Sequence, residues 1–282
     1  APALQGLYLR LLQHGRGVQI RTFHGWFAAL LRAAPLQLLQ QLGLPSQYEL
    51  LEDDQRAVAE VWRPFHQALL GDAAAMADYQ ALVLRNGRSN TLKSLESALS
   101  KRVEFVLADA QGVVEQSVPP FGELFPDMQD CDHPVDALLQ RPVPRDALLE
   151  AARILAQAAA PSFAACGVEL EQAVSSNDWE GVCAALLTQK GSPRKFGNKI
   201  AQIDAVIAVQ DRVLRVLEAQ QQHEAWLYQQ RMTRLTRLLL RCYAEVKRSH
   251  GWVDMNDIEQ TARLLLQDEL LEIVARTQST VV

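Results

Sequence analysis

Cysteine is scarce and scattered in this chain. Cys131, Cys166, Cys183 and Cys242 form no CxxC pair and no Cys/His cluster at zinc-ligand spacing, which argues against a disulfide framework and a structural zinc site and favours a reduced, cytoplasmic protein. Long hydrophobic runs are missing too. The stretch from Leu235 to Cys242 is interrupted by Arg237 and Arg241, and nothing approaches the ~20 apolar residues of a membrane span. Several chemical signatures are absent: GxxxxGK(S/T), GxGxxG, HExxH and GxSxG do not occur, so no familiar nucleotide loop, zinc-protease helix or hydrolase elbow is on offer. There is no internal repeat, low-complexity tract or helix-turn-helix signature. The start, Ala1-Pro2-Ala3, has neither an initiator Met nor the basic-then-apolar layout of a secretory signal, so the chain is expected to be a piece of a longer protein.

What is present is an ordinary globular composition, 49% hydrophobic and 22% charged over 282 residues, enough for one or two cores. The charge is uneven. Residues 190–250 carry twelve Lys/Arg against five Asp/Glu, a local +7, and the remainder carries −12 of the total −5. Such asymmetry suggests one face for a polyanion on an otherwise acidic body.

Periodicity predicts a mainly α architecture with a strand or two at the edges. Val18 to Phe23 alternates like a strand and runs into a helix carrying Trp26, Phe27, Leu30 and Leu31. Tyr48 to Leu51 reads as a second short strand. Asp53 or Asp54 then caps a helix that ends at Gly71-Asp72. A turn over Asn86–Asn90 precedes an amphipathic helix from Thr91 to about Ala108, and residues 110–145, with six of twelve prolines, read as a long surface connection. Helices follow at Arg145–Ala159, after Pro161 and over Asp178–Leu187. The basic, breaker-rich turn Thr188 to Lys195 leads to a helical pattern from about Ile200 to Arg248, free of Pro and Gly, as one very long helix or two in series. Gly251 ends it. Asp254 begins another helix, with Asp257 placed as in a capping box.

Several groups suggest binding. Thr22 and His24 sit where a strand meets a helix N-terminus, a geometry suited to phosphate, although a Thr cap and a core-edge His explain the same residues. Lys190, Arg194, Lys195 and Lys199 make a basic patch suited to duplex phosphates. At 100° per residue Arg234, Arg237, Arg241 and Arg248 fall within about 60° of one another, opposite Leu235, Leu239, Cys242 and Val246, as either a solvated face or a phosphate-contact stripe. Trp26, Trp62, Trp179, Trp226 and Trp252 could stack on bases, yet most read as core. Glu245-Val246-Lys247 has E-x-K nuclease spacing but lies in a helix pattern without a preceding strand-end Asp. Cys131 and His133 lie among Asp127, Asp130 and Asp132, which reads as a solvated acidic loop, and no metal is assigned.

The ordered segments resemble one family. Thr22-Phe23-His24-Gly25-Trp26-Phe27, Leu30-Leu31-Arg32, Leu42-Gly43-Leu44-Pro45 and Tyr48 to Asp53 are similar to the TIHxF…LLR…GLP…FEVLDE run of UvrD-type superfamily 1 DNA helicases of the AddA/RecB branch, with Ala28 in place of the usual cysteine. Leu95 to Phe105 resembles the branch's LxxxLxKRxEF helix, Leu187 to Lys195 its LTKxGxPRK turn, and Tyr243 to Lys247 with Gly251 to Ile258 its return segment, with Met255 replacing the usual Phe of LDFxDL. The resemblance implies a helical 1B-like accessory domain (46–250) inserted in an α/β helicase motor domain, of which only short flanking pieces (1–45 and 251–282) are present. It implies Thr22 and His24 as single-strand backbone contacts, Phe23 as a packing residue, and a capping and docking role for Asp254 and Asp257. The parent would be an ATP-dependent 3′–5′ helicase acting in double-strand break repair, using ATP and Mg. This piece would hold neither cofactor and would be inactive alone. Its partners would be DNA, as single strand and duplex junction, and a partner subunit of a helicase–nuclease complex, with no membrane involved. A rival reading is a helical scaffold whose long helix binds a partner subunit.

Overall fold

A computed structural model describes residues 22–41, 44, 47–51, 53–197 and 200–267, and the chain is mainly helical. The elements run α1 Phe23–Ala33, α2 Leu36–Gln41, β1 Glu49–Leu51, α3 Gln55–Gly71, α4 Ala73–Asn86, α5 Arg88–Ser100 and α6 Arg102–Ala110. Short helices α7 Val113–Gln116, α8 Phe121–Leu124 and α9 Asp136–Leu139 follow. Then come α10 Pro142–Ala156, α11 Pro161–Ser175, α12 Trp179–Leu186, α13 Ile203–His250, β2 Trp252–Asp254 and α14 Met255–Gln267. Two compact units result. One comprises Ala1–Ala77, Lys93–Val103 and Leu235–Val282, and the other Asp78–Leu92 and Glu104–Arg234. The long α13 contributes residues to both units.

In the first unit β1 and β2 pair in parallel, Glu49 opposite Trp252 and Leu51 opposite Asp254. The Glu49 amide also donates to the Gly251 carbonyl at 2.8 Å. Gly251 reaches this turn with φ +69°, the left-handed conformation that ends α13 and that glycine adopts without steric cost. Beneath the pair, Ala28, Leu31 and Leu39 of α1 and α2 bury against Val253 and Ile258. The α3 stripe Ala57, Val61, Phe65, Leu69 is buried at four-residue spacing, and burial of each of its larger side chains contributes ~1.5–3 kcal/mol.

The second unit packs α10, α11, α12 and the first half of α13 around Leu148, Leu155, Leu170, Val174, Leu186 and Val213. Gly167 allows α11 to lie directly on α10, since a Cβ there would stand 2.3 Å from the Ala156 nitrogen and 2.6 Å from the Ala152 carbonyl oxygen. The predicted surface connection over 110–145 is corrected here. Phe121, Met128, Leu138 and Leu139 are buried in this core, carried by helical pieces too short to show a period.

Two further boundaries shift. The turn predicted over Asn86–Asn90 contracts to Gly87 at φ +79°, and α5 already runs at Arg88. The helix predicted through Ala108 breaks at Lys101, whose amide is shared between the Ser97 and Ala98 carbonyls. Leu95 and Leu99 are buried as expected, while Val106, beyond the break, is 48% exposed. The strand predicted over Val18 to Phe23 lies outside the described residues up to Arg21, and its end is helical, with Phe23 opening α1.

Candidate nucleic-acid interface

At the α1 N-terminus Thr22 is the N-cap. Its hydroxyl oxygen accepts from the Gly25 amide at 3.1 Å, in extended backbone with φ −67° and ψ 158°. The cap satisfies one of the free amides and leaves the positive end of the helix dipole, with no acidic residue in the first turn, as the electrostatic offer to an anion. His24 occupies the second helical position; its side chain lies outside the described part. Phe23 is 79% exposed and not the packing residue that the resemblance implies, while Trp26 is 44% exposed.

The basic turn is closed by an antiparallel bridge between Leu187 and Pro193, by the Thr188 amide donating to the Ser192 carbonyl at 2.8 Å, and by Gly191 at φ +76°. This hairpin exposes Lys190 and Lys195, whose side chains have no ion-pair partner among the described residues. Arg194, also exposed, is engaged by the backbone instead. Its Nε donates to the Leu187 carbonyl at 2.9 Å and its Nη2 to the Ala184 carbonyl at 2.8 Å, so the guanidinium caps the C-terminal end of α12. Gln210 fastens the same place, donating to the Leu186 and Arg194 carbonyls at 2.8 and 3.0 Å. Lys199 lies outside the described residues.

The predicted arginine stripe does not act as one surface. Arg234, in the second unit, forks onto Asp78 at 2.7 and 2.8 Å, and Arg231 stands 3.8 Å from the same carboxylate. That hydrogen bonding raises the Arg234 pKa and fixes the side chain as structural. In the first unit Arg248 pairs with Glu245 at 2.5 Å, Arg237 is half-buried, and Arg241 is exposed with no partner among the described residues. Leu235, Leu239 and Val246 bury on the other side, as the periodicity predicts.

The densest polar constellation lies at β2. Asp254, 2% exposed, accepts at Oδ2 from Tyr243 Oη at 3.1 Å, Lys247 Nζ at 2.9 Å and Arg102 Nη2 at 3.1 Å. Its Oδ1 accepts from the Asp257 amide at 3.0 Å, and Asp257 Oδ2 returns the bond to the Asp254 amide at 2.9 Å, which completes a reciprocal cap of α14. Lys247 also reaches Asp257 at 2.6 Å, and Arg102 reaches Asp54 at 3.0 Å. Burial works against the Asp254 charge, but Lys247 and Arg102 outweigh it and hold the carboxyl below its ordinary value. Burial, with Asp254 adding to it, pushes the Tyr243 phenol far up, so it acts as a donor.

This network is structural. Every cation in it is satisfied, and Glu245 pairs outward with Arg248 while Lys247 points inward, so the E-x-K residues do not converge. Sequence reasoning placed Asp254 and Asp257 at a cap but missed Arg102, Asp54 and Lys247 as their partners. The available signal was that all lie in or beside the segments that carry the family resemblance. Among the described residues no group of three or more His, Cys, Asp or Glu could hold a metal ion, and no helix is long and apolar enough to cross a membrane. Comparison with protein-family models, with curated proteins and with solved structures finds no match.

Proposed function

We propose that this chain is the 1B-like region of an AddA/RecB-type UvrD-family helicase, with a short piece of motor domain at each end, and that it guides DNA for a motor it does not itself contain. The observation that carries the reading is convergence. Segments separately similar to the family, around Asp54, Arg102, Tyr243–Lys247 and Asp254–Asp257, meet at one buried carboxylate. There β1 pairs in parallel with β2 some 200 residues later in the chain. An excursion that leaves and returns side by side is what an inserted domain requires.

On this reading Thr22 and His24 face the single strand, and Lys190, Lys195 and Arg241 supply duplex phosphate contacts. Arg194, Arg234 and Arg248 are withdrawn from direct contact because their donors are engaged within the fold. The parent supplies ATP and Mg and acts in the cytoplasm as a 3′–5′ translocase in double-strand break repair.

Fluorescence anisotropy with forked, single-strand and duplex DNA tests this. Each phosphate contact adds about 0.9 to the slope of log K against log salt, so the paired substitution Lys190→Gln, Lys195→Gln should lower the forked-DNA slope by about 2. An unchanged slope would make the turn a solubilising loop. DNA-stimulated ATP hydrolysis by this chain would refute the division of labour.

A further inference from the structure

The second unit holds a cavity of about 580 Å³ that the DNA reading leaves unused. Phe121, Trp226 and His223 form its aromatic wall. His223 stacks on Trp226 with ring centroids 5.9 Å apart and an interplanar angle of 27°, and meets Phe121 edge-on at 5.2 Å. The Gln222 side chain donates to the Pro119 carbonyl at 2.6 Å, which fastens the segment before Phe121 to α13 and gives the wall a fixed shape.

Glu123 and Asp132 line the same cavity. Both are exposed, and neither has an ion-pair partner among the described residues. They belong to the most one-sided stretch of the chain: residues 104–140 contain eight Asp/Glu and no Lys/Arg. Burial, and then the neighbouring His133, holds His223 below the usual imidazole range, so the wall stays neutral. Arg231, the cation acting on that ring, is itself 3.8 Å from Asp78. An unpaired acidic rim over a neutral aromatic wall repels a nucleic-acid backbone and attracts an organic cation.

The adjacent surface already shows this arrangement filled. Arg215 lies over the Phe125 ring at 5.4 Å and forks onto Asp127 at 3.2 and 2.6 Å, a guanidinium held between an aromatic face and a carboxylate. Trp226, Glu123 and Asp132 bring the same residue types, an aromatic ring and carboxylates, to the lining of one cavity.

We infer that this cavity is a docking site for an arginine side chain from a basic segment of a partner protein, the guanidinium stacking on Trp226 between the Glu123 and Asp132 carboxylates. The site is independent of the DNA-guiding role and lies on the acidic part of the chain, where DNA would not compete.

The test uses the full chain and a fluorescein-labelled peptide Ser-Gly-Arg-Gly-Ser, with a citrulline analogue that keeps the shape and removes the charge. The Arg peptide should bind at low salt, and citrulline should weaken it at least about tenfold. The exposed-residue variant Glu123→Gln, Asp132→Asn should have a similar effect with unchanged helical circular dichroism, and Trp226→Phe should bind better than Trp226→Ala. Equal binding of the citrulline peptide, no binding of the Arg peptide at millimolar concentration, or full binding by the Glu123→Gln, Asp132→Asn variant would each overturn the inference. So would loss of single-strand oligonucleotide binding on Trp226→Ala, which would mark a base-stacking surface instead.

Discussion

Replacing Asp254 with Asn keeps the shape of the side chain and removes the charge on which three donors converge. All three lost bonds go to a carboxylate and are charge-assisted, at ~1.5–3 kcal/mol each, so complete loss would cost about 4.5–9 kcal/mol. The loss is not complete. Lys247 keeps Asp257 at 2.6 Å and Arg102 keeps Asp54 at 3.0 Å, so roughly half of each cation's pairing survives. A destabilisation of at least about 3 kcal/mol follows, the lower edge of what breaking a buried pair costs. Hydrogen exchange at the amides of β2 and α14 is the direct assay, and 3 kcal/mol corresponds to roughly 150-fold faster exchange.

The pH dependence follows from the lowered Asp254 pKa. A depressed carboxylate contributes stability that is present above its unfolded value of ~3.9 and is lost as pH falls through the folded value. The gap between the wild type and Asp254→Asn should therefore be widest near neutrality and close in acid. A loss below ~1 kcal/mol at pH 7, or a gap that stays constant into acid, would refute the account of the junction.

Gly167→Ala drives a methyl group into the α10 backbone at 2.3 and 2.6 Å, where nothing flexible can yield. It should lower stability in urea melts by ~3 kcal/mol or more. Arg194→Gln uncaps the α12 carbonyls and should cost about 1–3 kcal/mol in the same melts, whereas Lys195→Gln, on an exposed side chain without an ion-pair partner among the described residues, should stay within ~0.5 kcal/mol. Burial pushes the Cys183 thiol up to about 11, so peptide-level alkylation at pH 8 should run about two hundredfold slower than for a free cysteine and quicken as pH rises.

Local chemistry was legible wherever a signal acts over three or four residues. The Thr22 cap, the Asp178 side chain accepting from the Gly181 amide at 3.1 Å, and the reciprocal Asp254–Asp257 cap all stand at positions that sequence spacing marks. Where a second partner comes from far along the chain, the reading failed. Arg194 looked like a free cation because the carbonyls of Ala184 and Leu187 are invisible to composition, and Arg234 because Asp78 lies 156 residues away.

By itself the sequence determined that this protein is mainly helical, that Thr22 and Asp254 stand at helix starts, that a Pro- and Gly-free helical stretch ends at Gly251, and which segments resemble a helicase insertion. Those properties depend on propensity, periodicity and capping, which act locally. The structure alone decided that the Pro- and Gly-free stretch is the single helix α13, that three residues at β1 and three at β2 pair in parallel, that the proline-rich 110–145 stretch contributes Phe121, Met128, Leu138 and Leu139 to a core, and which cations are engaged within the fold. Strand pairing across so long a separation, burial of short helices and the choice between an internal and an external anion are settled by what the rest of the chain places within 3 Å.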